Sequence, residues 1–333
     1  MCTAVYLQGE RPVFGRTLDL EYHYDEQVVL TPRRFAFSFR YEGACACHHA
    51  ILGTAHVCCG QPLYYDAMNE QGLAVAALHF PDCGCYHPPV SGKRALCSFE
   101  VIPYLLARCS CVQEAVDLLR ACVVTPDAFS ADLPPTPLHW MIADARSCVV
   151  VESLARGLVI YENTLGVMTN APEFSWQEKH LARYAGLDAY PRTGGLGKEL
   201  SLSPVAKGSG AVGLPGDYTS PARFVRAAFA KTYTQAVPGE DAVSRFFHVM
   251  ESVSVPSGCV RTEQGACVRT VYTACSDLAR GAYRLHTYED RVPRGVSFHD
   301  LDLTREGLQC FSMQQSELPS APKNLDSAYT DIV

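Results

Sequence analysis

Met1-Cys2-Thr3-Ala4-Val5-Tyr6-Leu7-Gln8-Gly9-Glu10-Arg11-Pro12-Val13-Phe14-Gly15-Arg16-Thr17-Leu18-Asp19-Leu20 opens the chain. Cys2 to Leu7 reads as a strand, Gln8 to Pro12 carries turn residues, and Val13 to Leu20 reads as the return strand. A small residue after the initiator favours removal of Met1, which leaves Cys2 with a free α-amino group. One residue then holds both a nucleophile and a base: the thiol attacks, and the α-amine takes its proton directly or through a water. An α-amine titrates near ~7.7–8.0, close to working pH, and an amine-activated side chain is an established route to covalent catalysis. Read by itself, Met-Cys is a common start and Cys2 is inert.

The return strand changes that reading. In an extended chain Arg16 and Leu18 share one face and Asp19 takes the other. A cation beside the thiol raises its thiolate fraction, and a carboxylate beside the α-amine orients it. The plain alternative is a surface Arg–Asp pair, worth about 0–1 kcal/mol.

Further along, Met68 to Phe80 reads as β structure around an Asn69-Glu70-Gln71-Gly72 turn. Helices are expected from Phe99 to Arg108 and from Ser110, where Gln113 suggests a capping box and Val112, Ala115, Val116 and Leu119 share a face. Strands are expected at Leu138 to Ala143, Cys148 to Ser153, Leu158 to Tyr161 and Gly166 to Asn170. Helices follow at Trp176 to Tyr184, Pro221 to Thr232 and Glu240 to Val253, and strands at Arg269 to Ala274 and Ala282 to Tyr288. Strands in blocks and helices in blocks indicate layered α+β, not alternating βαβ. No Pro/Gly/Ser linker divides residues 1–333, so one domain is expected, with Met313 to Val333 as a loose or partner-dependent tail.

Composition narrows the class. The 333 residues are 48% hydrophobic and 19% charged, with a net charge of −7. A core is within reach and disorder is not indicated. The acidic balance argues against nucleic acid as a partner. The charge-free stretch Ala44 to Tyr65 carries three histidines and is no membrane span. The first residues lack a signal-peptide pattern, so a soluble, cytoplasmic protein with reduced thiols is expected. Of sixteen cysteines, several sit too close to bridge easily: Cys45 and Cys47, Cys58 and Cys59, Cys83 and Cys85, Cys109 and Cys111. Cys45, Cys47, His48, His49 and His56 lie together as candidate metal ligands, but no CxxC pair occurs, and no metal is expected. There is no Rossmann, P-loop, G-x-S-x-G or H-E-x-x-H pattern.

Several motifs then occur in order: Met1-Cys2-Thr3; Phe14-Gly15-Arg16 with Asp19; Met68-Asn69-Glu70-Gln71-Gly72-Leu73; Leu138-His139-Trp140-Met141-Ile142 to Asp144; Met168-Thr169-Asn170 to Pro172; and Gly213-Leu214-Pro215-Gly216-Asp217-Tyr218 with Arg223-Phe224. Together they resemble the choloylglycine hydrolase family of conjugated bile salt hydrolases and penicillin V acylases. The resemblance implies an N-terminal-nucleophile hydrolase. Its fold would be an αββα sandwich of two mostly antiparallel sheets between helical layers, assembled as a homotetramer and using no cofactor.

It also implies roles. Cys2 matches the nucleophile, Arg16 the residue beside the thiol, and Asp19 the carboxylate that binds the α-amine. Asn170 matches the oxyanion-hole amide and Arg223 the second active-site arginine. Alone, Asn170 would read as a turn residue before Pro172 and Arg223 as a solvated helix residue. Ala77-Leu78-His79-Phe80 departs from the family, which has Asn (bile salt type) or Tyr (penicillin type) where His79 stands. The backbone N–H of His79 still fits the oxyanion hole; a protonated imidazole would pair with the carboxylate or sulfonate of the leaving amino acid. Leu18, Phe129, Leu133 and Leu138 are the expected lining of an apolar acyl pocket, or else simple core. The leading expectation is an amidase acting on glycine- or taurine-conjugated bile salts. Penicillin V or N-acyl-homoserine lactone acylase is the near alternative, and a cysteine-rich metal-binding or redox protein the remote one.

Overall fold

The opening hairpin forms from Cys2–Leu7 and Val13–Leu20. Its register pairs Cys2 with Leu18, Ala4 with Arg16 and Tyr6 with Phe14. Cys2, Ala4, Phe14, Arg16 and Leu18 therefore share one face, and Thr3, Val5, Gly15, Thr17 and Asp19 the other. The structure, a computed structural model, describes residues 1–191, 194–196, 200–203, 206–237 and 240–313.

This hairpin is central to a seven-stranded sheet ordered Val167–Met168, Cys2–Leu7, Val13–Leu20, Cys267–Asp277, Ala282–Thr287 and Arg294–Ser297, with Val260–Arg261 paired beside Cys267–Asp277. A second, eight-stranded sheet runs Gly157–Glu162, Cys148–Leu154, Leu138–Ala143, Ala74–His79, Gln61–Asn69, Ile51–Cys58, Gln27–Thr31 and Gln309–Ser312. All pairings within both sheets are antiparallel. Five helices accompany them among the described residues: α1 (Val101–Arg108), α2 (Val112–Arg120), α3 (Phe174–Leu181), α4 (Ser220–Tyr233) and α5 (Ala242–Glu251).

Two apolar clusters fix the layers. Ala4, Phe14, Leu52, Met68, Ala76, Leu78 and Met141 fill the space between the sheets, and the same cluster continues through Phe224, Phe246 and Phe247 of α4 and α5. The second cluster packs Leu73, Val75, Ile51 and Trp140 under Leu105 of α1 and Leu119 of α2. The order is helices, sheet, sheet, helices: the expected αββα sandwich. Gly15 shows how tightly the outer layer packs, since a Cβ there would lie 1.9 Å from the Ala274 carbonyl oxygen and 2.8 Å from the Phe246 ring.

Some local expectations are corrected. Ser110 caps nothing: α2 begins after Cys111 with no side-chain cap, and the orphan Val112 N–H is taken up by Asp144 at 2.8 Å instead. Gly166 to Asn170 yields only the two-residue strand Val167–Met168, because Asn163 holds a turn through Gly166 and the chain leaves the sheet after Met168. Gln309–Ser312 pairs with Gln27–Thr31, and Met313 packs against the inter-sheet cluster. The remainder of the expected tail, 314–333, lies outside the described residues.

Candidate active site

Antiparallel register builds the site. Arg16 lies diagonal to Cys2 on the inter-sheet face, within side-chain reach across the pair, and its Nη2 donates to Cys2 Sγ at 2.6 Å. Cys2 is 3% exposed and Arg16 is fully buried. The other Arg16 donors meet neutral oxygens: Nε the Thr17 carbonyl at 3.0 Å, Nη1 the Ala77 carbonyl at 2.8 Å and the Tyr65 carbonyl at 3.3 Å. Burial alone would lower the Arg16 pKa; the Cys2 sulfur, Tyr272, Asp66 and Asp19 outweigh it, and the net shift is upward. The guanidinium is a fixed charge aimed at the thiol.

The opposite face is built from hydroxyls and α4. Asp19 accepts from Thr270 Oγ1 at 2.7 Å and Thr17 Oγ1 at 3.2 Å. Met1 occupies the end of the strand: its ammonium donates to the Asp19 main-chain carbonyl at 2.6 Å, and its own carbonyl accepts the Asp19 N–H at 3.0 Å. Thus Asp19 meets the α-amine of Met1 through its backbone, not its carboxylate. Arg223 reaches in from α4, fully buried and not solvated. Its Nη1 donates to the Cys2 carbonyl at 2.5 Å and to Thr3 Oγ1 at 2.6 Å, and its Nε to the Tyr218 carbonyl at 3.1 Å. Burial pushes its pKa down, opposed by Asp19 and Cys2.

Asn170 closes the third side. It follows Val167–Met168, which pairs with the nucleophile strand through Ala4 and Val5. Its Oδ1 accepts the Cys2 main-chain N–H at 2.8 Å and Arg223 Nη2 at 2.7 Å. Its Nδ2 donates to the His79 carbonyl at 2.7 Å. An amide nitrogen carries two hydrogens, so one remains for an incoming oxygen. His79 supplies a further donor. Phe80 N–H bonds the Pro137 carbonyl at 2.8 Å, so by antiparallel alternation the N–H and C=O of His79 point away from strand Leu138–Ala143. Pairing with Gln61–Asn69 has already ended at Asp66–Ala76. The His79 N–H therefore opens toward the same space as the Asn170 amide. His79 ends its strand exposed to solvent; partial desolvation of the imidazole, then the N-terminal ammonium and His139, lowers its pKa.

The expected pocket residues divide into two places. Leu18 stands directly opposite Cys2 and Leu138 opposite His79. Phe129 and Leu133 sit on the 126–137 loop, where Phe129 N–H bonds the Leu133 carbonyl at 3.1 Å and its ring packs edge-on against Phe99. Thr17, Thr270 and the carbonyls of Tyr65 and Ala77 were missed by sequence reasoning. Only Thr17 carried a signal, since it shares a strand face with Asp19. All sixteen cysteines are free thiols, and among the described residues no cluster of His, Cys, Asp or Glu is placed to hold a metal. His48 is instead held by the carbonyls of His49 and Phe35, at 2.7 Å each. No described helix is long and apolar enough to cross a membrane.

Known proteins are similar to this chain in sequence and in fold. The bile salt hydrolase/transferase of Lactiplantibacillus plantarum is 37% identical over 300 residues, 90% of this chain and 93% of the relative. The conjugated bile acid hydrolase of Lactobacillus gasseri is 33% identical over 288 residues, 85% of this chain and 91% of the relative. A crystal structure of a mutant conjugated bile acid hydrolase from Clostridium perfringens superposes with a TM-score of 0.87 at 30% identity, covering 93% of this chain and 96% of that one. Residues 2–314 match the family described as linear amide C–N hydrolases, choloylglycine hydrolase family. With the match running from Cys2 through the strand, helix and loop that surround it, the chain belongs to the choloylglycine hydrolase family.

Proposed function

We propose that the chain hydrolyses the amide bond of glycine- or taurine-conjugated bile salts, with Cys2 as an N-terminal nucleophile. The observation that carries this is the double hold on Cys2: Sγ by Arg16 at 2.6 Å and the main-chain nitrogen by Asn170 at 2.8 Å. Once Met1 is removed, that nitrogen is the α-amine and keeps its Asn170 acceptor. The thiol proton passes to the amine as sulfur attacks the substrate carbonyl. Charge developing on the carbonyl oxygen is met by the free N–H of Asn170 and the N–H of His79, an arrangement whose single donors typically contribute ~2.7–4 kcal/mol. The C–N bond breaks, the departing glycine or taurine takes the proton from the ammonium, and a thioester remains on Cys2. Water, deprotonated by the same α-amine, attacks the thioester and releases the bile acid.

Arg16 holds the sulfur in place through Nη2, while Arg223 and Asp19 fix the strand end that carries it. Leu18, Leu138, Phe129 and Leu133 are assigned to the acyl side, where a steroid offers apolar area worth about 25 cal/mol per Å². The same reading carries a homotetramer in the cytoplasm and a single domain. Parallel hydrolysis of glycocholate, taurocholate and penicillin V by one preparation tests it. Both bile salts should turn over with the higher kcat/KM; faster turnover of penicillin V would move the chain to the penicillin branch.

A further inference from the structure

Glu152 and His139 stand opposite each other on the paired strands Cys148–Leu154 and Leu138–Ala143. They alternate with Val150 and Met141, which belong to the cluster between the sheets, so both side chains point into the sandwich. Both are buried, at 0% and 1% exposure. His139 Nδ1 lies 3.3 Å from Glu152 Oε1, and the same oxygen accepts the Phe174 N–H at 2.9 Å. Among the described residues, His139 Nε2 and Glu152 Oε2 meet no protein group. A buried polar pair is a costly way to fill a core, and apolar residues of similar volume hold two strands together as well. What sets this pair apart is what it touches.

On one side it touches α3. Phe174 is the first residue of that helix, and its N–H is one of the donors a helix leaves unpaired. Glu173 stands at the cap position but makes no cap bond; its carboxylate goes to Arg156, at 2.6 Å and 3.2 Å. Glu152 takes the Phe174 N–H instead. One turn later, Gln177 Nε2 donates to the Asn170 carbonyl at 3.4 Å and to Ser220 Oγ at 3.2 Å. Glu152 therefore fixes the start of the helix that holds the Asn170 main chain.

On the other side it touches the strand end at His79. The His139 ring stacks on Phe80, with centroids 4.2 Å apart and planes at 8°. Phe80 is fully buried and follows His79, whose carbonyl accepts Asn170 Nδ2 at 2.7 Å. The contacts close into a ring: His79 and Phe80, His139, Glu152, Phe174 and Gln177 on α3, Asn170, and back to His79.

We propose that Glu152 and His139 are positioning residues for the reaction, setting the place of the Asn170 amide relative to the His79 N–H. This rests on the reading of those two groups as the donors that receive the substrate oxygen. It requires no particular charge on either side chain. Such donors work only within hydrogen-bond reach of the developing charge, and a misplacement of about 1 Å costs up to about 100-fold in rate.

The test is a double-mutant cycle in the full chain, using whichever of glycocholate, taurocholate and penicillin V it turns over fastest. Glu152→Ala should lower kcat roughly ten- to hundredfold while KM stays within about threefold. Glu152→Gln, which keeps an oxygen for the Phe174 N–H, should recover most of that loss. In an Asn170→Ala background, Glu152→Ala should lower kcat by less than about threefold, because the amide it places is already gone. His139→Phe keeps a ring on Phe80 and drops the bond to Glu152. It should lower kcat roughly three- to tenfold with the same dependence on Asn170, and it carries the test if Glu152→Ala does not fold. Losses that multiply in the double variant, or an unchanged kcat in either folded single variant, would reduce the pair to packing. The functional reading fails separately, if Cys2→Ala keeps its activity.

Discussion

Arg223 and Asn170 are joined directly: Nη2 of the arginine donates to the amide oxygen at 2.7 Å. That bond fixes which way the amide faces. Oδ1 receives Arg223 and the Cys2 nitrogen, and Nδ2 donates to the His79 carbonyl at 2.7 Å. A flipped amide would set hydrogens against two donors and oxygen against a carbonyl, so the network assigns the orientation.

The consequence is measurable. Asn170→Ala should lower kcat by about 10²–10³-fold with little change in KM, because the lost donor acts on charge present only in the transition state. Asn170→Asp keeps the acceptor for Arg223 but loses the donor, and should be as slow as the alanine variant. An aspartate variant with near-normal kcat would assign Asn170 to structure.

The opening hairpin was legible because turn residues separate two β-rich runs and both strands lie near the terminus. Strand Ile51–Cys58 was not. It is buried on both faces for most of its length, so it lacks the alternation that marks a half-exposed strand, and His56 drew attention to metal chemistry with Cys45, Cys47, His48 and His49 instead. Gln27–Thr31 failed for the same reason, being buried from Val28 to Thr31. Asn170 and Arg223 entered through family resemblance; no local pattern places a loop amide against a helix arginine 53 residues away. Asp66 accepts from Tyr272 and Tyr283, 206 and 217 residues away, a pairing that only the stacked sheets create.

His79 carries a second prediction. Partial desolvation, then the N-terminal ammonium and His139, lowers the imidazole pKa, which works against the cationic partner of the leaving amino acid that the sequence suggested for pH 5–6. The KM ratio of His79→Asn to the unaltered enzyme should stay flat from pH 5.5 to pH 8. A ratio that climbs on acidification would restore the ionic role.

His286 predicts acid sensitivity of the fold. Burial, then Arg291, pushes its pKa down to about 4, and its ring packs 4.9 Å from Phe247. Between the unfolded value near ~6.5 and this folded value the unfolded chain binds more protons, so stability rises with pH. The contribution is fully present above that window and is lost as pH falls through it. From pH 7 to pH 4.5 His286 should cost on the order of 2 kcal/mol. Urea unfolding should show His286→Gln losing less stability over that interval than the unaltered chain; equal losses would refute the assignment.

The most direct test of the account is intact-mass and peptide-level mass spectrometry of enzyme quenched in acid during turnover of glycocholate. Hydrolysis through an N-terminal thiolate predicts a chain lacking Met1 that carries one cholyl group as a thioester on Cys2. Steady turnover by chains that retain Met1, or a cholyl group found on any residue other than Cys2, would contradict it.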